Sequence, residues 1–174
     1  MTQRQVIASG TTNTYVYCRI AARRALRQAE KQDLGFFYFC MMAGVFAAFT
    51  VEAFLNHLGA AKVPDWKKGE RKLSPRQKLQ LLSHACGWAV DRSKPPYQTF
   101  TTMLELRNSL AHGRTETVVT HLVLKWPVPK WKKLCSLTSV RQMVEDAETI
   151  VRELHSRTGS TRDPFASPGH GWSA

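Results

Sequence analysis

The sequence predicts an all-α fold: an antiparallel bundle of about five helices with a small β-hairpin insertion. Three observations carry this. Apolar residues recur at helical spacing through most of residues 11–158, the breaks between those stretches hold proline or glycine, and β-branched residues dominate one stretch, 117–126. A chain of 174 residues, 43% apolar, is long enough to build one core and leaves no room for a second catalytic domain.

The elements follow in order. Residues 1–10 read as a flexible start and 11–33 as the first helix, with Val16, Ile20, Ala21 and Leu26 near one face and Arg19, Arg23, Arg24 and Arg27 on the others. Leu34 to Val51 carries no charge over eighteen residues, which touches the lower length of a membrane span. Glu52 follows directly and the period continues through Ala53, Phe54, Leu55 and Leu58, so we read a buried central helix that ends at Gly59. A small membrane-associated protein is the competing reading of that run.

Ala60 to Pro75 is read as a basic loop with two prolines and five lysines or arginines. Ser74 and Pro75 then supply an N-cap and a first-turn proline for a third helix over residues 76–90. A fourth starts near Tyr97 after "DRSKPP" and ends with Gly113 as its cap. The stretches "TVVTHLVLKW" and "WKKLCSL" would pair across "PVPK", placing the hairpin within about 115–137. A last amphipathic helix is capped by Thr138 or Ser139, buries Val140, Met143, Val144, Ala147, Ile150, Val151 and Leu154, and stops at Gly159; residues 159–174 read as a flexible tail.

Charge narrows the function. Twenty-five Lys and Arg against thirteen Asp and Glu give a net charge of +12, a field that attracts polyanions, so nucleic acid or an anionic surface is the expected partner. Cys18, Cys40, Cys86 and Cys135 form no CxxC pair and read as buried thiols in a reducing compartment; the start shows no signal-peptide pattern, so the cytoplasm is the expected location. His84 and Cys86 make one HxC pair without a second pair at zinc spacing, so no metal site is expected, and neither a nucleophile elbow nor a phosphate-cradling glycine loop occurs.

One stretch concentrates chemistry: "LELRNSLAHG", Leu104 to Gly113. On a helix Asn108 and His112 share a face, and the long stem of Arg107 can close the angle to them. An imidazole can take a proton from a ribose 2′-hydroxyl or give one to a leaving oxygen, and a guanidinium fork can hold a phosphate that gains charge. The amide of Asn108 can orient either group. The same residues also make an ordinary polar helix end in which His112 meets the helix dipole and Arg107 is solvated.

"LRNSLAHG" resembles the signature of the HEPN (higher eukaryotes and prokaryotes nucleotide-binding) superfamily, an arginine, commonly a polar residue after it, and a histidine after four to six intervening positions. Arg107, Asn108 and His112 stand at those places with four residues between arginine and histidine. The resemblance implies an all-helical domain, often a homodimer in which two motifs face each other as one composite RNA-cleaving site. It implies a metal-independent endoribonuclease with no cofactor that leaves a 2′,3′-cyclic phosphate and a 5′-hydroxyl. Many such proteins are toxins or phage-defence effectors, with an antitoxin or defence-system partner; other members have lost cleavage and only bind nucleotides or mediate assembly, so the competing expectation for this chain is a non-catalytic nucleic-acid-binding or dimerisation module.

Several further residues join the candidate site. Glu52 and Asn56 share a face of the second helix, and Glu52 either holds Arg107 or His112 in place or lies at the solvent edge. Lys125, Lys130, Trp131, Lys132 and Lys133 interleave cations with indole, suiting RNA phosphates and bases, whereas anchoring the hairpin on the bundle is the commoner fate of tryptophans such as Trp126 and Trp131. Lys67, Lys68, Arg71 and Lys72 form a second phosphate-tracking group, with the arginine face of the first helix as a third.

Overall fold

The computed structural model describes residues 11–113, 115 and 128–169. Within them the chain is all-α, with α1 at Thr14–Lys31, α2 at Phe36–Lys62, a single turn α3 at Trp66–Gly69, α4 at Pro75–Ala85, α5 at Tyr97–Ala111 and α6 at Leu137–Ser156. Short 3-10 helices fill Glu70–Lys72 and Lys130–Cys135.

α2 is the centre of the bundle. It buries Cys40, Ala43, Ala47, Val51, Phe54 and Leu55 and packs against α1, α4, α5 and α6. It is also long and apolar enough to cross a membrane by length and composition, yet half of its most apolar window is buried inside the fold. The side chains it meets set the direction of each neighbour. Tyr15 of α1 meets Phe54, while Glu30 at the other end of α1 takes Arg141 from the start of α6. Leu106 and Met143 gather at Gly44, Phe54 meets His155, and Tyr97 donates to Glu153 at 2.6 Å. α1 and α5 therefore run antiparallel to α2 and α6.

Tertiary contacts moved several expected boundaries. α2 does not stop at Gly59 but runs one turn further, because the indole of Trp66 lies flat on that glycine and a Cβ there would overlap it. That contact also gives the expected basic loop its order, folding it into α3 and the 3-10 turn. α4 ends at Ala85, short of Val90, because Cys86-Gly87-Trp88 forms a Schellman stop: Gly87 adopts φ +68°, Gly87 N–H donates to His84 O and Trp88 N–H to Ser83 O. The cap of α6 is Ser136 rather than Thr138 or Ser139, its hydroxyl accepting from Ser139 N–H at 3.2 Å.

The hairpin is corrected in part. Its first expected strand, 117–126, lies outside the described residues; its second is helical, and no strand occurs among the described residues. The reason is a helical spacing. Trp131, Leu134 and Cys135 turn toward the core while Lys132 and Lys133 stay exposed, which suits a helical turn and not a pleated strand.

The segment after α6 also differs from the free tail that its lack of period suggests. Through residue 169 it returns to the start of α1: Phe165 is buried, with the Arg19 and Arg152 guanidinium groups 5.0 and 5.2 Å from its ring centre. Tyr15 donates to Pro164 O at 3.0 Å, and Asn13 N–H to Pro168 O at 2.8 Å. All four cysteines are free thiols; Cys40 and Cys135 are buried as expected, whereas Cys18 and Cys86 are partly exposed.

Candidate active site at the end of α5

α5 presents Arg107 toward α2 because the residues around it, Met103, Leu104 and Leu106, are drawn into the core and fix the rotation of the helix. The guanidinium is held from two sides. Nη2 meets Glu52 Oε2 at 3.1 Å and Oε1 at 3.4 Å, while Nη1 donates to Asn108 Oδ1 at 2.8 Å. The guanidinium carbon also lies 5.9 Å from the centre of the Phe49 ring. Glu52 is thus inside the fold's polar contact network, a quarter or less exposed like Arg107, and not a solvent-edge carboxylate.

His112 occupies the cap of α5. Its N–H donates to Asn108 O at 2.9 Å, and its side chain is exposed with no partner among the described residues. Gly113 is not in the left-handed conformation expected of a terminal glycine. What it provides is room, since a Cβ there would lie 2.9 Å from Ser109 O. The last turn therefore stays tight, and the single chain joins Arg107, Asn108 and Glu52 while leaving His112 at the open rim one turn on.

Asn56 follows Glu52 by one turn but serves another cation. Its Oδ1 accepts from Lys78 Nζ at 2.7 Å, and Lys78, on α4, is only 5% exposed. Sequence reasoning missed Lys78. The signal was present, because Lys78 is one turn from buried Leu82 on the inner side of a helix whose start is marked by a full capping box at Ser74 and Gln77.

The basic groups are distributed unevenly. Lys67, Lys68, Arg71 and Lys72 line α3 and the turn after it, with Lys68 paired to Asp65 at 2.8 Å. This group is anchored at Gly59, about 10 Å of helical rise beyond Glu52. Lys130, Lys132 and Lys133 are exposed, but Trp131 packs on the core with its ring 6.1 Å from Phe37, about 22 Å of rise from Glu52 in the other direction. Trp131 is therefore an anchor in this fold. Lys125 lies outside the described residues.

The arginine face of α1 is largely committed elsewhere. Arg19 and Arg23 each place Nε 2.7 Å from Glu148 Oε1, Arg23 adds Nη2 to Oε2 at 2.8 Å, and Arg152 adds a contact at 3.2 Å. Burial alone would raise the Glu148 carboxyl; the hydrogen bonds from Arg23 and Arg19 outweigh it and hold the pKa down at about 2. Only Arg24 and Arg27 of that face remain exposed.

No family model, curated protein or solved structure matches the chain. The functional reading rests on the residues themselves.

Proposed function

We propose that this chain is a metal-independent endoribonuclease of the HEPN type, working in the cytoplasm as a homodimer on single-stranded or looped RNA, in a toxin or phage-defence setting. The observation that carries the reading is the clamp of Glu52 and Asn108 on Arg107, one turn before an exposed His112, on a chain of net charge +12. A guanidinium held on one side by a carboxylate is oriented without being closed off, and its remaining donors can meet a phosphate.

In this mechanism the ribose 2′-oxygen attacks the adjacent phosphorus and the 5′-oxygen leaves. His112 transfers a proton at one of those oxygens, Arg107 stabilises the charge that builds on the non-bridging oxygens, and Asn108 orients. The substrate supplies its own nucleophile, so the reaction needs no metal. The one histidine at the end of each α5 serves one proton transfer; a second copy of α5 facing the first supplies the other. Lys67, Lys68, Arg71 and Lys72 lie on the nearer side of the clamp and track the strand. The partner that restrains such an enzyme, an antitoxin or a defence-system component, belongs to the same proposal.

A second reading, a non-catalytic nucleic-acid-binding or dimerisation module on the same bundle, is favoured by one observation: in the single chain Arg107 already has both a carboxylate and an amide as partners. Incubating an RNA pool with the protein in EDTA separates the two. Cleavage by wild type that persists in chelator, spares a 2′-deoxy substrate and falls at least ~100-fold in His112→Ala is the expected result. An uncut pool leaves the binding module.

A further inference from the structure

Lys78 is difficult to account for by stability. It is 5% exposed, its one hydrogen bond among the described residues is to the neutral amide of Asn56, and no carboxylate among them lies within ion-pair distance. A buried ammonium without a counter-ion is unfavourable, and an apolar side chain of similar length would suit a bundle interior better. Glu148 shows how the same fold treats a buried charge that serves only structure: it surrounds it with three opposite charges.

The hydrogen bond fixes which way Asn56 faces. With Oδ1 occupied by Lys78, the Nδ2 donors are left without a hydrogen bond among the described residues. Asn56 also lines a cleft of about 300 Å³ between the start of α1 and the last turns of α2, whose walls include Thr12, Thr14, Ala53 and His57. The side chains of these wall residues are neutral or basic. The nearest carboxylate on α2, Glu52, is already paired with Arg107. A positive charge behind a low-dielectric wall, with an amide donor in front of it and hydroxyls beside it, is the chemistry of an anion site.

We propose that this cleft is a phosphodiester subsite: Asn56, charged from behind by Lys78, binds a backbone phosphate of a nucleic-acid strand one helical turn along α2 from the Arg107 clamp. The inference rests on the ribonuclease reading for the identity of the strand, and on the Lys78–Asn56 geometry alone for the anion. Lys78 is a positioning residue here, because it acts through Asn56. The site takes phosphate and no base edge, so it binds ribose and deoxyribose strands alike.

The test uses the full chain and a fluorescent 2′-deoxy octanucleotide, which cannot be cleaved, at low salt. Lys78→Met and Asn56→Asp are each expected to weaken binding at least ~10-fold, as loss of a charge-assisted phosphate contact requires. Asn56→Asp keeps the contact to Lys78 and turns it into an ion pair, so the fold is retained while the charge is cancelled; it decides the matter if Lys78→Met fails to fold. Lys94→Met, which removes the same charge from an exposed site, is expected to change binding less than twofold. Affinities of folded Lys78→Met and Asn56→Asp within twofold of wild type overturn the proposal, as does a loss in Lys94→Met equal to theirs. So does a site that takes inorganic phosphate, seen as Asn56 amide shifts, while the octanucleotide does not compete. If the wild type cleaves nothing but its binding still depends on Lys78 and Asn56, the ribonuclease reading fails and the subsite stands. Cleavage that depends on His112, beside binding indifferent to both variants, overturns the subsite and keeps the ribonuclease reading.

Discussion

Glu148 and Glu52 both sit on helices of the bundle and both hold arginine, but their surroundings differ. Glu148 has a side chain 5% exposed and is saturated by Arg19, Arg23 and Arg152. Glu52 has a side chain 20% exposed, holds only Arg107, and stands near an exposed histidine at the end of α5. The first arrangement occupies both carboxylate oxygens with guanidinium, so it ties α1 to α6. The second leaves Arg107 guanidinium donors without a hydrogen bond among the described residues. The same ion pair is a brace where charge is exhausted and a candidate site where it is not.

Removing the brace is expected to have the largest effect. Glu148→Ala removes the buried carboxylate that joins three guanidinium groups, and breaking a buried pair of this kind costs about 3–5 kcal/mol. For a chain of this length that lowers the melting temperature by about 6–20 °C, read by circular dichroism or calorimetry. The pH dependence follows from the depressed pKa. The folded carboxyl titrates at about 2 and its ordinary value is 4.5, so its stabilisation is complete above about pH 4.5 and is lost as pH falls toward 2. A variant that retains wild-type stability would show that the three arginines are held by the packing of α1 on α6 and not by the carboxylate.

Glu52→Gln sharpens the comparison from the other side. A partly exposed pair contributes at most about 1 kcal/mol, so the melting temperature should fall by no more than about 4 °C. RNA cleavage should drop about tenfold, mostly in kcat, because the guanidinium loses the group that aims it. Equal losses of stability in Glu52→Gln and Glu148→Ala would make Glu52 a second brace and remove the reason to place a site there.

How much of this was legible in the sequence depends on the range of the interaction involved. Helix positions were legible because burial imposes a local period, and α6 with its Val140, Met143, Val144, Ala147, Ile150, Val151 and Leu154 stripe is the clearest case: all seven are buried. Ends set by distant groups were not: nothing near Gly59 announces that Trp66 will fold back onto it. The stop at Gly87 was legible in principle, since a Cys-Gly-Trp sequence after a capped helix fits a Schellman end, but the apolar residues beyond it suggested continuation. In the candidate site, local spacing identified Arg107, Asn108 and His112, and shared-face reasoning identified Glu52. Lys78 required knowing which way α4 rolls, and the commitment of Arg19 and Arg23 required knowing that Glu148 lies opposite them, across more than a hundred residues of sequence.

The smallest expected effect concerns the histidine on the rim of the proposed subsite. His57 lines the cleft as an exposed residue, and its ring centre lies 5.3 Å from that of Tyr15 and 6.1 Å from that of Phe54. Partial burial of the side chain lowers its pKa below the ordinary 6.5, with His155 adding to the shift in the same direction. The folded state therefore binds protons less readily than the unfolded chain. As pH falls through about 6.5 the unfolded state gains a proton that the folded state resists, and stability declines until His57 itself titrates. His57→Gln should flatten the fall in melting temperature between about pH 7 and 5 and leave the melting temperature at about pH 8 close to wild type. The brace at Glu148 is fully ionised throughout that interval, so a change confined to it isolates the histidine. If the slope across that interval is the same in both proteins, the ring is solvated on both faces and the contacts to Tyr15 and Phe54 do not keep it neutral.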